Sequence, residues 1–328
     1  MLRKMVGLSM GALLISGLFF LTPFVPFSWG EYPERPITVI VPFAPGASDR
    51  ELRAMTPMMG NILGQPVMVE NREGGGGSIG AYALLQSRRD GYTLLFGGAY
   101  VVVLNPLINK VPYTMDDFIP IACTSMVGAI VGVSSESPWK TIQEFIDYGR
   151  KNPGVLKHGT PGVGSMAQIQ EAALASAAGI KTIHVPFKGG SEVNSSIIGG
   201  HIDYTMAGPY TILPLVRGGK IRPLVTVSKK RHPDYPDTPT VAEVGIPFPP
   251  DLGDTHHAFF APKGTPPAIC DKLTETIRKT LSDREVIDNL RKGGNIAEFY
   301  DQKEMKVQIG KQILLFKEIT GKLGLQKK

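Results

Sequence analysis

Cysteine is nearly absent from the 328 residues: there are two, Cys123 and Cys270. They fall in different expected elements, so nothing fixes their separation, and two buried free thiols are expected rather than a disulfide framework. No Cys/His spacing suited to a metal is present, and neither a metal nor a cofactor is expected. Charge is sparse too, at 20% of residues with a net of +6. Lysines and arginines are scattered, and the one cluster, Lys229, Lys230 and Arg231, runs into a proline-rich stretch without interleaved aromatics. A nucleic-acid surface needs a concentrated basic stripe, so that partner is excluded. A weakly positive interior would still favour an anionic ligand. Long hydrophobic runs are missing as well. The most apolar, at 6–21, has about sixteen residues, short of the roughly 20 that span a bilayer.

That run has a use of its own. Arg3 and Lys4 precede it, Pro23 and Pro26 break it, and Ser28-Trp29-Gly30 places small residues at the positions signal peptidase reads. Residues 1–30 therefore read as a cleaved secretory signal, with a mature start near Glu31; the competing reading is an uncleaved membrane anchor. No cysteine lies in the segment, so a lipoprotein is excluded. Its removal takes away two basic residues and lowers the net charge to +4. The remaining length, with 42% apolar residues in the whole chain, suits two ordinary domains.

After the signal, β-branched runs alternate with helical patterns. ITVIVPF (37–43) is nearly continuous apolar, as a strand buried on both faces would be. A helix is expected over 49–63, a strand over 67–70, a helix over 80–88 and a strand over 93–96. A second set runs through helices at 141–151 and 167–178, strands at 183–185, 204–207 and 224–227, and a helix ending at Gly199-Gly200. A strand near Phe259 and three helical patterns close the chain. This alternation predicts an α/β protein whose sheets are mostly parallel. Two crossings, at 121–133 and 225–239, make the second set an insertion: lobe 1 from 31–121 and 236–328, lobe 2 from 122–235. A cleft between two such lobes is a favoured place for a small ligand.

Two glycine turns face that cleft. In the first, Phe43, Ala44 and Gly46 lead through Ala47 and Ser48 to Asp49 and Arg50, and Ser48 with Glu51 spells a capping box opening the next helix. In the second, Thr160, Gly162, Val163 and Gly164 lead to Ser165, which with Gln168 spells another. Each helix start offers backbone N–H groups and the positive end of a dipole to an anion. On spacing alone the two turns could equally be ordinary strand-to-helix connections.

Several phrases then become specific: YPERPITVIVPFAPG (32–46), GQPVMVENREGGGGSIGA (64–81), DGYTLLFG (90–97), HVPFKGG (184–190), PDTPTVAEVGIP (236–247) and FFAPKGTPP (259–267). In this order the chain resembles the solute-binding receptors of tripartite tricarboxylate transporters, the Bug receptors, over nearly the whole mature length. The resemblance implies a two-lobed Venus-flytrap fold in the periplasm, monomeric and without catalytic activity. It also implies a carboxylate ligand handed to a permease of one large and one small membrane subunit. It maps ligand contacts onto 44–50 and 160–168, the two turns already singled out. Arg50 stands where the family commonly has an acid, which favours a second or third carboxylate over an ammonium. Gln168 replaces a frequent His, Ala207 a frequent Asp and His256 a common Trp. Tyr100, Tyr210 and His256 are expected to set the pocket's size, and Lys188 is a candidate cleft cation.

Other patterns carry less. Gly75, Gly77 and Gly80 match the dinucleotide fingerprint, but they follow the second strand and no acid stands about twenty positions on at a strand end, so NAD is not expected. Ser165, His256 and Asp254 can be drawn as a hydrolase triad. Ser165 opens a capping box rather than a strained elbow, so no enzyme is expected.

Overall fold

The computed structural model describes residues 32–322 and 324–326. The described residues from Pro33 onward belong to one compact unit; the expected signal at 1–30 lies outside the described residues. The first part of that unit runs β1 (Ile37–Val41), α1 (Ala47–Leu63), β2 (Val67–Asn71), α2 (Ser78–Leu85), β3 (Thr93–Gly98), two short helical turns α3 (Tyr100–Val103) and α4 (Asn105–Ile108), and β4 (Phe118–Gly128). The middle part runs β5 (Ile130–Ser134), α5 (Ile142–Lys151), β6 (Lys157–Thr160), α6 (Met166–Ala178), β7 (Ile183–Pro186), α7 (Gly190–Ile198), β8 (Tyr204–Ala207), α8 (Pro209–Arg217) and β9 (Ile221–Thr226). The last part runs α9 (Pro250–Gly253), β10 (Asp254–Pro262), α10 (Pro267–Thr280), α11 (Arg284–Lys292), β11 (Ile296–Tyr300) and α12 (Gln302–Lys322).

Two sheets result, in the orders β11-β4-β10-β3-β1-β2 and β7-β6-β8-β5-β9. β1 pairs in parallel with both β2 and β3, and Ile37, Val39, Ile40 and Val41 are at most 2% exposed, so its apolar run is buried on both faces. The pairing is more mixed than expected. β10 is antiparallel to β3 and β4, β11 to β4, and β5 to β8 and β9. The reversed strands are those that follow a change of sheet: β5 in the second sheet, and β10 and β11 in the first.

β4 continues through Gly128 in the first sheet and β5 starts at Ile130 in the second. The first change of sheet therefore falls at Ala129, not at 121/122, because most of the apolar stretch read as a crossing is a strand. The return also comes later than 235. Residues beyond β9 stay with the second sheet through the Thr226–Thr240 bridge, and β10 begins at Asp254. A cluster on the second sheet stacks Trp139, Phe145 and Tyr204 edge-on. Beneath it the buried Glu171 carboxyl accepts hydrogen bonds from Tyr204 Oη and Thr182 Oγ1, and desolvation holds it above the usual carboxylate range. Cys123 and Cys270 are buried free thiols, and burial pushes both upwards.

Candidate functional site

Four helices begin at one cavity. α1 starts after Gly46, α6 after Ser165, α7 after Gly189 and α8 after Gly208, and these residues all line a space of about 570 Å³ between the two sheets. That volume lies within the roughly 300–1,000 Å³ of small-molecule sites. α1 comes from the first sheet and the other three from the second, so positive dipole ends meet from both sides.

None of the four has a side-chain cap at its N-terminus. Of the other helices, α5 and α11 do carry one, Thr141 Oγ1 accepting from Glu144 N–H and Asp283 Oδ1 from Val286 N–H, while α2, α9 and α10 do not. Both expected capping boxes are thus corrected. α1 starts at Ala47, one residue before Ser48, which leaves Glu51 too far along to reach back; its carboxyl is instead fully buried. At α6, Ser165 is the N-cap residue as expected, but its buried Oγ has no partner among the described residues. Gln168 Oε1 accepts from Gly164 N–H at 2.8 Å instead. First-turn N–H groups that a side chain would have satisfied are left to whatever enters.

Of the sequence-derived candidates, the cavity brings together Phe43, Ala44, Gly46, Ala47, Ser48, Arg50, Tyr100, Ser165 and Ala207. Phe43 and Tyr100 form an aromatic wall, their ring centroids 6.3 Å apart, and burial keeps the Tyr100 phenol neutral by raising its pKa. Other candidates do not line it. Asp49 turns aside to Arg53, with contacts of 3.0 and 3.1 Å. Thr160 and Gln168 hold the second turn from behind: Thr160 Oγ1 lies 2.6 Å from His184 Nε2 and Gln168 Nε2 3.2 Å from His184 Nδ1. Val163 and Gly164 pack against the first half of the chain, and Gly162 lies by Phe187 O. A Cβ placed on Gly76 would sit 2.8 Å from Val163 O, and one on Gly164 2.6 Å from Asn109 Nδ2. Gly76, between the fingerprint-like Gly75 and Gly77, is thus the glycine whose loop docks across the cleft.

His256 is also misplaced by expectation. Side chains alternate along β10, so Thr255 and His257 line the cavity while His256 faces away, 3.1 Å from Gln312 and against Tyr300. Burial holds its pKa at about 4. Ser165 has no histidine partner, which removes the drawn triad.

Three signals were missed. His257 and Glu51 share a 2.5 Å contact, and Ser125 Oγ donates to Glu51 over 2.5 Å, in a polar floor under α1. The start of α7 was another: its glycine turn after a strand repeats the grammar of the first two, and it stands beside Lys188, the expected candidate cation, which does line the cavity. Gly208-Pro209, a proline at the first helical position, was the readable mark of α8. Among the described residues, the lining includes the cations Arg50 and Lys188 and the acids Glu51, Glu73 and Glu192. Among the described residues no group of three or more His, Cys, Asp or Glu could hold a metal ion.

The family model of the tripartite tricarboxylate transporter family receptor matches residues 52–325. The chain belongs to that receptor family. A Pseudomonas sp. relative, a protein in a tcbD-tcbE intergenic region, is 33% identical to this receptor over 266 residues, covering 80% of this chain and 79% of its own. The R. palustris protein solved with adipate superposes on the receptor with a TM-score of 0.85 at 26% identity, covering 89% of this chain and 98% of that one. MatC from Rhodopseudomonas palustris, solved with bound malate, gives 0.81 at 27%, covering 88% and 99%. The receptor's fold is thus the two-lobed fold of periplasmic binding proteins, and its family and structural neighbours are solute-binding receptors, not enzymes.

Proposed function

We propose that the receptor captures a small carboxylate in the cleft between its sheets, a di- or tricarboxylate or an aromatic acid. On this reading it acts in the periplasm as a monomer, exported through residues 1–30, and delivers its ligand to a permease of one large and one small membrane subunit. The observation that carries this reading is the convergence of four helix N-termini without side-chain caps, one from one side and three from the other. Charge-assisted hydrogen bonds contribute about 1.5–3 kcal/mol each. Four of them total about 6–12 kcal/mol, and the upper end less an association cost of about 4 kcal/mol leaves about 8 kcal/mol, the limit of this ledger and roughly micromolar affinity. The adipate and malate carried by two structural neighbours are of the same chemical class.

Isothermal titration against a panel of carboxylates, with a sugar and an organic cation as controls, tests it. At least one polycarboxylate is expected to bind near micromolar Kd. Binding of the sugar or the cation with no acid bound would overturn the ligand class.

A further inference from the structure

Asn295 lies between α11 and β11 and lines the cavity. It is 2% exposed, and neither Nδ2 nor Oδ1 has a hydrogen-bond partner among the described residues. Its direction follows from the strand beside it. Ile296, the next residue, pairs with Met126 and is 45% exposed, so by alternation Asn295 turns inward. β4 lies between β10 and β11, so Asn295 reaches the floor from one side of β4, and Thr255 and His257 from the other.

Leaving a buried amide donor and acceptor both unmet is costly, and the cavity is the side from which they can be met. The partner must supply a donor as well as an acceptor. An ionised carboxylate supplies acceptors alone, and here it would approach Glu51, whose buried carboxyl lines the same floor. A hydroxyl donates and accepts through one oxygen. His257 adds to the match, because its Nδ1 is engaged by Glu51 and Nε2 is the ring nitrogen left for the cavity. We propose that Asn295 and His257 form a second subsite, apart from the helix N-termini, that reads a hydroxyl on the ligand. The preferred ligands are therefore hydroxylated carboxylates. This inference rests on the carboxylate reading of the cavity.

The test is calorimetric titration of matched pairs, malate against succinate and citrate against tricarballylate, with wild type, Asn295→Leu and the smaller Asn295→Ala. Wild type is expected to favour the hydroxylated member of at least one pair by about tenfold or more, and both variants to bring that ratio within about twofold. The deoxy acid should keep its affinity within about threefold. Equal losses for both members would assign Asn295 to packing or to holding water, and would overturn the subsite. So would an unchanged ratio in the variants, or the absence of any hydroxyl preference in wild type. If wild type binds no acid at all, the carboxylate reading itself fails and takes the subsite with it; acids bound without preference sink only the subsite.

Discussion

An arginine in the first turn of a helix is out of place electrostatically, since the dipole there favours anions. Arg50 occupies such a position on α1 while lining the cavity, where its charge can meet an anionic ligand. Arg50→Ala is expected to weaken a dicarboxylate by about tenfold or more and a monocarboxylate by less than about threefold, measured by titration. Equal losses would reduce Arg50 to a general contribution to the field. His256→Phe serves as the opposite arm: on the far face of β10, it should leave both affinities within about twofold. The contrast between His256 and His257 shows where reading a sequence stops. Which residue types the cleft needs could be inferred, but a one-residue slip in a strand exchanges its two faces. Only the pairing of His257 with Gly98 and Ser125 fixes which histidine turns inward.

At the scale of elements, the second glycine turn serves docking more than ligand contact. Gly76, at φ 63°, lies against Val163 O across the cleft, whereas Gly154, at φ 77°, has nothing within 4 Å of the place a Cβ would take. Alanine at either site carries the left-handed penalty of about 1–2 kcal/mol. Only at Gly76 does the added carbon also hold the two halves apart. Gly76→Ala should therefore weaken carboxylate binding by about tenfold or more, and Gly154→Ala should lower stability by a similar amount without changing affinity. Titration combined with urea unfolding reads both, and equal affinities in the two variants would remove the docking role. Much of this layer was legible. β1, α1, β2, α5, α6 and β8 follow from apolar runs and helical periodicity close to their observed ends. β4 was not, because an apolar run that spans a change of sheet has no turn signal to divide it. The starts of α7 and α8 were passed over because neither opens on a capping sequence, and that same lack is what leaves them available to a ligand.

For the whole molecule, four histidines are buried in ways that oppose their charged form. Desolvation is the leading cause in each: His158 lies well below its ordinary 6.5, His184 and His232 below it, and His256 at about 4. Their surroundings sharpen or soften the effect. His184 adds repulsion at His158, and His257 and Lys229 do so at His256. At His232, Arg291 and Arg217 oppose the charge, while Asp234 and the Gly294 carbonyl favour it. Each histidine takes up a proton more readily when unfolded, so its contribution is fully present above pH 6.5 and is lost as pH falls from there towards the folded value. For His256 that window runs from 6.5 to about 4, and the loss is on the order of 2 kcal/mol after allowing for partial exposure. Glu171 works the other way, because its raised pKa makes protonation on acidification favour the folded state. With four bases against one acid, the melting temperature should fall steadily between pH 7 and pH 4.5, and His256→Gln should flatten part of that slope. A scanning-calorimetry series checks both, and a melting temperature that held constant across this range would show that the four rings accept protons in the folded chain without cost.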